Sequence, residues 1–243
     1  MVVVGGSRGI GAAAARYAAQ AGANVAVVFR SDHEAAEGVV RDVEALGRRG
    51  LALQADASVE GALAPCFEAA ASHGPLTGLV VSAGIFEGQP IEEMDAAFWD
   101  RTMAVNVRGT YLAVQEYVRH ARRQGLGGSI VIYASTAGQR GSAVYSAYAT
   151  SKGAQIMFMR SMALELAPDQ IRVNCIAPAW TVTDMARPSL EQLGFEETAK
   201  LFPLGRIGLP EDVAGATVFL LSPLAGFITG VTLTVDGGMD MRG

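Results

Sequence analysis

Residues 1–11 read MVVVGGSRGIG, an apolar run that leads directly into a turn rich in glycine. The run from Met1 to Val4 predicts a strand, and the Ala-rich segment from about Ile10 to Ala21 predicts a helix that ends at Gly22. A strand, a glycine turn and a helix in this order bring backbone N–H groups and the positive end of the helix dipole to one point. The stretch therefore predicts a site for a pyrophosphate group, with a tightly packed turn of small residues as the alternative.

Beyond this stretch, strand and helix patterns alternate without a linker. Further strands are expected near Asn24–Phe29, Gly50–Gln54, Thr77–Val81, Gly128–Tyr133, Ile171–Ile176 and Val231–Val235. Helices are expected near Asp32–Leu46, Ser58–Ser72, Asp95–Arg123, Tyr145–Leu166 and Pro210–Leu221. This alternation predicts an α/β fold of the Rossmann type, a doubly wound parallel sheet of about seven strands with helices on both faces. We expect residues 1–243 to form one domain, with a loop region at about 179–209 where the alternation breaks down.

Tyr148 and Lys152 are four residues apart in YATSK, so a helix would project them from the same face. A phenol ionises near pH 10 in water, and lowering its pKa to about 7 requires roughly 4 kcal/mol of preference for the phenolate. One cation about 4 Å away supplies roughly that energy at an effective dielectric constant near 20. Ser135 precedes the pair by thirteen residues. The pattern predicts a proton-transferring tyrosine, and a solvated surface pair is the alternative for the two residues taken by themselves.

Together these segments resemble the short-chain dehydrogenase/reductase family along nearly the whole chain. The family's TGxxxGxG motif corresponds to residues 4–11, and its NNAG motif corresponds to Val81-Ser82-Ala83-Gly84. Further similar segments are AVNVRGTY around Asn106, IRVNCIAP at 171–178, the stretch with Thr183 and Met185, and VDGG at 235–238. The chain departs from the family motifs at Val4, Val81, Ser82 and Ala179.

The resemblance implies four catalytic residues: Asn106, Ser135, Tyr148 and Lys152. Ser135 would bond the oxygen of the substrate carbonyl or alcohol, and Tyr148 would transfer the proton to or from it. Lys152 would lower the pKa of the tyrosine and hold the nicotinamide ribose. Asn106 would anchor a water that links Lys152 to solvent. Tyr145 is a competing tyrosine, but it has no lysine four residues later.

Two arginines indicate which cofactor is preferred. The position at the end of the second strand that carries an acid in NAD enzymes is Phe29 here, and Arg30 follows it. Arg8 lies inside the glycine turn, and arginine matches the geometry of a 2′-phosphate. These residues favour NADP(H), with NAD(H) as the alternative and two merely solvated arginines as the other interpretation. Asp32 is also close, although it could instead cap the next helix.

The resemblance also implies the remaining binding residues. Cofactor contacts are expected from Gly5, Ser7, Arg8, Gly9, Ile10, Gly11, Arg30, Ser31, Asp56, Ala57, Ser82, Ala83, Gly84, Tyr148, Lys152, Pro178 and Thr183. Asp56 would bond adenine, with a helix N-cap as the alternative. Substrate contacts are expected from Phe86, Gln139, Tyr145 and Trp180, together with Gln89 and Met185. No metal site is expected.

Composition limits the classes of partner. Half of the 243 residues are apolar, which is enough for a large core, and a net charge of -5 argues against nonspecific nucleic-acid binding. Cys66 and Cys175 fall in a predicted helix and a predicted strand, where free thiols are expected, as in a reducing cytoplasm. No apolar stretch is long enough to span a bilayer, and Met1 to Val4 is too short for a signal peptide. A cytoplasmic protein without membrane partners is expected.

The resemblance is greatest to 3-oxoacyl-[acyl-carrier-protein] reductases, which implies NADPH-dependent reduction of a 3-oxoacyl-type or related ketone to a secondary alcohol. Leu126 and Asp169 stand where carrier-protein reductases place basic residues, so acyl carrier protein stays open as a partner. The alternatives are an NAD(P)-dependent sugar, polyol or other secondary-alcohol dehydrogenase, and a non-catalytic nucleotide sensor. A homotetramer is implied, paired through the helices that begin near Asp95 and Tyr145, with Tyr111, Val114 and Val118 facing either a partner or the sheet.

Overall fold

Seven parallel strands form one central sheet in the computed structural model, which describes residues 1–241. The strands are β1 Val2–Val4, β2 Val25–Phe29, β3 Gly50–Gln54, β4 Gly78–Val81, β5 Gly128–Tyr133, β6 Ile171–Pro178 and β7 Thr232–Val235. Their order across the sheet is β3-β2-β1-β4-β5-β6-β7. The expected Rossmann-type parallel sheet is confirmed, and the last two residues of the expected 1–243 domain lie outside the described part.

The shortest strand, β1, is the third strand of the sheet and lies in its interior. β1 is paired on both sides, with Val3 in register with Val27 of β2 and with Val80 of β4. Its three valines are buried completely or nearly so. Because the strand order reverses at β1, the loops after β1 and β4 diverge there, and the carboxyl ends of these strands are where such sheets bind ligands.

Helices cover both faces of the sheet. They are α1 Gly9–Gln20, α2 His33–Ala45, α3 Ala64–Ser72, α4 Ala96–Met103, α5 Gly109–Gln124, α6 Ala137–Arg140, α7 Ser146–Glu165, α8 Arg187–Leu193, α9 Phe195–Ala199 and α10 Pro210–Leu221. On one face, Phe67 of α3, Tyr117 of α5 and Met159 of α7 pack against the strands. On the other face, the small side chains of α1 pack there with Val39 of α2 and Val213 of α10.

Two expected helices differ from the observed ones. The helix expected over Ser58–Ser72 begins at Ala64, because the residues before it form turns. The helix expected over Asp95–Arg123 is divided by a π-helical segment, Ala104–Arg108, in which the Gly109 N–H reaches back to the Ala104 carbonyl. Such segments are rare and are frequent at functional sites.

Residues 179–209 break the alternation, as expected. This stretch carries the short helices α8 and α9 and a single parallel bridge between Thr181 and Gly208. It builds its own apolar cluster around the buried Leu190, Phe202 and Ile207. The region is therefore a packed cap beside the carboxyl ends of the strands.

Candidate active site

A cleft of about 600 Å³ lies at the carboxyl ends of the strands. The expected site residues that line it are Gly5, Ser7, Arg8, Gly9, Ile10, Arg30, Ser31, Asp56, Ala57, Ser82, Ala83, Gly84, Phe86, Ser135, Tyr148, Lys152, Pro178, Trp180, Thr183 and Met185. Gly11, Gln89, Asn106, Gln139 and Tyr145 do not line it. The cleft also takes in residues not anticipated from the sequence, among them Arg140, Ser142 and Met239.

The glycine turn is shaped by close backbone contacts. Gly5 has a positive φ of 83°, and a Cβ there would lie 2.4 Å from the Ala83 nitrogen. A Cβ on Gly11 would lie 2.2 Å from the Gly5 carbonyl oxygen. Gly11 therefore supports the turn from behind, although it does not line the cleft. The Arg8 side chain does not cap α1, so no side chain competes for the N–H groups of its first turn. This arrangement fits the pyrophosphate of a dinucleotide.

Charged side chains cluster where an adenosine ribose would lie. Asp32 caps α2, since its carboxylate accepts from the Ala35 N–H at 3.0 Å, and it lies 3.9 Å from an Arg8 nitrogen. The helix-capping role that was the alternative for Asp32 is therefore observed. Asp56 accepts from the Ser58 hydroxyl at 2.6 Å, which is the main cause of its lowered pKa, and Arg30 and Arg108 contribute electrostatically. Asp56 caps a turn rather than a helix, because α3 begins only at Ala64.

Ser135, Tyr148 and Lys152 meet on the floor of the cleft. Burial raises the pKa of Tyr148 to about 12, and the Ser135 hydroxyl partly offsets this. The Lys152 ammonium donates to the Tyr133 carbonyl at 2.7 Å and to Gln155 Oε1 at 3.0 Å, and it lies 5.6 Å from the centre of the Tyr148 ring. The expectation of a tyrosine pKa near 7 is therefore wrong for the protein by itself, since desolvation outweighs a cation held by other groups.

Asn106 lies inside the π-helical segment and is completely buried. Its side chain binds both backbone groups of Ile85, accepting from the N–H at 2.8 Å and donating to the carbonyl at 3.0 Å. It also donates to the Ser151 hydroxyl at 3.0 Å. Asn106 thereby fixes the loop after β4 against α7, and its side chain does not face the cleft.

The sequence analysis missed Gln155, which bonds Lys152 directly. Its side chain also donates to the Asn106 carbonyl at 2.8 Å, so it connects Lys152 to Asn106. The signal was present in the sequence, because a residue three positions after Lys152 lies beside it on a helix.

Aromatic side chains form a wall beside Tyr148. The Phe86 ring stacks on Tyr145 with centres 4.5 Å apart, and it meets Tyr148 and Trp180 edge-on at 4.8 and 5.6 Å. Tyr145 thus supports the wall from behind. The Gln139 amide instead reaches the Thr234 hydroxyl at 3.3 Å. Near the mouth of the cleft, Arg140 pairs with Asp240 at 2.8 Å.

Residues 1–241 contain neither a metal-binding cluster nor a helix able to span a membrane. No group of three or more His, Cys, Asp or Glu side chains is arranged to hold a metal ion in this part of the chain. None of the described helices combines the length and the apolar character needed to cross a membrane. Cys66 and Cys175 are buried free thiols.

Comparison with known proteins agrees with the fold. Residues 4–240 match a family described as Enoyl-(Acyl carrier protein) reductase. The chain belongs to the short-chain dehydrogenase/reductase family and is an oxidoreductase of that family, which uses nicotinamide cofactors.

Individual relatives cover nearly the full chain. An L-rhamnose 1-dehydrogenase (NAD(P)(+)) from Sphingomonas sp. (strain SKA58) is 37% identical over 98% of this chain and 95% of that protein. A 3-oxoacyl-[acyl-carrier-protein] reductase FabG from Aggregatibacter actinomycetemcomitans is 34% identical over 98% of each chain. The structure of a short-chain type dehydrogenase/reductase from Mycobacterium ulcerans superimposes with a TM-score of 0.92 at 36% identity, covering 99% of this chain and 89% of that one.

Proposed function

We propose that this oxidoreductase reduces a ketone to a secondary alcohol with NADPH, and that Tyr148 supplies the proton. The observation that carries the proposal is the convergence of Ser135, Tyr148 and Lys152 in a cleft that begins at the glycine turn. The nicotinamide cofactor, when bound, supplies the hydride. The protein's part is to orient the carbonyl and to provide the proton.

The protonation states suit reduction. A Tyr148 phenol with a pKa of about 12 is fully protonated at neutral pH, so it can donate to the carbonyl oxygen as the carbonyl carbon accepts the hydride. Burial lowers the pKa of Lys152 to about 8, so its ammonium is mostly charged at neutral pH. That charge stabilises the phenolate that Tyr148 becomes. Ser135 holds the substrate oxygen beside the phenol.

The preference for NADPH rests on the end of β2. Phe29 is buried and no acid stands in its place, while Arg30 is exposed at the cleft. The nearby acid, Asp32, is engaged in capping α2.

Arg30→Asp should weaken NADPH binding much more than NADH binding in fluorescence titrations. A matched control is Arg41→Asp, an exposed arginine on α2 that does not line the cleft. Equal losses for both cofactors in Arg30→Asp would remove this argument.

The cleft favours a small ketone over a carrier-bound one. The wall of Phe86 and Trp180 offers an apolar surface beside Tyr148. Arg122 and Arg123 lie close in sequence to Leu126, the first position where carrier-protein reductases are basic, and they pair with Asp169 and Glu68, each at 2.9 Å. Pairing reduces their ability to bind an acidic carrier protein.

A second candidate is the oxidation of a sugar or polyol. The relative named L-rhamnose 1-dehydrogenase favours it, and so do the polar side chains of Glu87, Arg140 and Ser142 in the cleft.

We place the enzyme in the cytoplasm in either case, supported by its two buried free thiols.

A substrate screen in both directions tests these proposals. Reduction would be followed by NADPH or NADH absorbance with cyclic and linear ketones, 3-oxo esters and a 3-oxoacyl thioester, free or on acyl carrier protein. Oxidation would be followed with L-rhamnose and polyols plus NADP or NAD. Turnover of free ketones supports the first proposal, and turnover of sugars alone supports the second. A protein that binds NADPH but is inert throughout would instead be a nucleotide sensor.

A further inference from the structure

Gln155 lies one turn after Lys152 on α7 and is buried, with 1% of its surface exposed. Its Oε1 accepts from the Lys152 ammonium at 3.0 Å. Its Nε2 donates to the Asn106 carbonyl at 2.8 Å and to the Thr110 hydroxyl at 2.6 Å. Both N–H donors of the amide are therefore used, and its oxygen is aimed at the lysine.

The chemistry of the partners fixes the orientation of this amide. The ammonium can only donate and the Asn106 carbonyl can only accept. Turning the amide over would set its NH₂ against the ammonium and its oxygen against the carbonyl, which would remove two hydrogen bonds in a buried place. The Gln155 oxygen therefore has to face Lys152.

The surroundings of Lys152 allow Gln155 to influence the charge of the Lys152 ammonium. Both hydrogen-bond partners of the ammonium, Gln155 Oε1 and the Tyr133 carbonyl on β5, are neutral acceptors. The titratable groups that face it are the Tyr148 phenol on α7 and the Cys175 thiol on β6, and burial raises the pKa of each to about 12. At neutral pH, neither group carries a negative charge to balance the lysine.

We infer that Gln155 is a positioning residue that holds the Lys152 ammonium in place and keeps it charged beside Tyr148, by tying it to the π-helical segment at Asn106. The inference rests on the proposed function and extends it. An amide takes up no proton near neutral pH, so this link fixes the lysine without titrating.

The sequence offers a direct test, since Lys152 and Lys200 are its two lysines. Lysine labelled with ¹³C at Cε would give two signals, and the exposed Lys200 serves as an internal reference. The pH titration of Lys152 would be compared in the cofactor-free wild type, Gln155→Met and Gln155→Glu. Methionine keeps the shape but removes the acceptor, so the pKa of Lys152 should fall. Glutamate adds a negative charge, so the pKa of Lys152 should rise by about one unit or more.

Shifts in opposite directions would support the inference, because a merely structural role for Gln155 predicts no such pattern. Titrations that coincide with wild type, or that move together in both variants, would overturn it. If Gln155→Met does not fold, as judged by circular dichroism, Gln155→Glu still decides: the pKa of Lys152 rises or the inference fails.

The pH profile of ketone reduction is a second readout. The loss of rate at alkaline pH should move to lower pH in Gln155→Met and to higher pH in Gln155→Glu. If the wild type is inert toward every substrate but the two variants shift the pKa of Lys152 in opposite directions, the proposed function is refuted and the Gln155 inference is supported. If the wild type is active but the variants leave the pKa of Lys152 unchanged, the proposed function is supported and the Gln155 inference is refuted.

Discussion

The Tyr148 phenol and the Lys152 ammonium occupy the same cleft, yet the ammonium is bound by Tyr133 and Gln155. Desolvation is consequently the largest influence on the pKa of the phenol, and it keeps the phenol protonated. A protonated phenol is what carbonyl reduction requires, so the raised pKa is consistent with a proton donor rather than with a resting base.

Removing the phenol hydroxyl should therefore slow turnover strongly and spare cofactor binding. Tyr148→Phe should lower kcat by about 10²–10⁴-fold, the usual contribution of general acid–base catalysis. Steady-state kinetics would measure kcat, and NADPH fluorescence would measure binding. The matched control is Tyr145→Phe, since Tyr145 supports the aromatic wall but does not line the cleft. A Tyr148→Phe enzyme as active as the control would contradict the assigned role.

The rate of reduction should fall as pH rises through about 8. Burial lowers the pKa of Lys152 from 10.5 to about 8, so the ammonium charge is present below this pH and lost above it. Tyr148 stays protonated across the same range because its pKa is about 12. Values of kcat for ketone reduction between pH 6 and pH 10 would check this. A rate that is flat across pH 8 would show that the lysine charge is not needed.

At this scale the sequence predicted which side chains share the cleft better than it predicted their protonation state. Tyr148 and Lys152 were found by their spacing, which a helix preserves. The pKa of Tyr148 was predicted wrongly, because it depends on how much solvent the fold removes from the ring. Gln155 was missed because its spacing from Lys152 indicates only that the two are neighbours on a helix, whereas the fold places Asn106 on its other side.

At the level of secondary-structure elements, the glycine turn between β1 and α1 and the first turn of α1 leave no room for added side chains. A Cβ on Gly11 would come within 2.2 Å of the Gly5 carbonyl oxygen and 2.9 Å of the Ser82 hydroxyl. Gly11→Ala should therefore destabilise the protein by about 1–3 kcal/mol and weaken NADPH binding as the turn shifts. Thermal unfolding and NADPH titration would measure the two effects.

Gly215, inside α10, provides the opposite case. It is exposed, and apart from its chain neighbours and the nearby backbone of its own helix, no atom lies within 4 Å of the position that a Cβ would take. Gly215→Ala should stabilise the protein by about 0.5–1 kcal/mol, because alanine favours the helix and restricts the unfolded chain. A Gly11→Ala protein that unfolds at the same temperature as Gly215→Ala would show that the turn tolerates a side chain.

The strands were predicted closely, since buried parallel strands read as short apolar runs, as in LVV at 79–81. The start of α3 and the π-helical segment were not predicted. The π segment is stabilised by contacts from elsewhere in the chain, Ile85 and Ser151 on Asn106, and such contacts leave no local pattern.

At the scale of the whole molecule, we propose that copies of the chain associate through α5 and α7. Tyr111, Val114 and Val118 of α5 were expected to face either a partner or the sheet. Val114 is buried against the sheet, whereas Tyr111 is 43% exposed. On α7, Met157 and Leu164 lie two turns apart and are 58% and 82% exposed. Apolar side chains exposed together on neighbouring helices are typical of an interface.

A second apolar patch, of Leu224 and Phe227, is fully or almost fully exposed. Two separate patches fit the homotetramer, which needs two kinds of interface. Size-exclusion chromatography with light scattering should give the mass of four copies for the wild type and a smaller species for Leu164→Asp. Leu46→Asp, at the exposed end of α2, should leave the mass unchanged. A monomeric wild type would refute the proposed assembly.

The position of β1 in the sheet constrains how the polypeptide folds during synthesis. β1 acquires its second neighbour only when residues 78–81 emerge, and α1 packs most extensively against α10, at residues 210–221. Contacts so distant in sequence form slowly. The ribosome must therefore release almost the entire chain before the first helix finds its partner, and until then its alanine-lined face is open to chaperones and to aggregation.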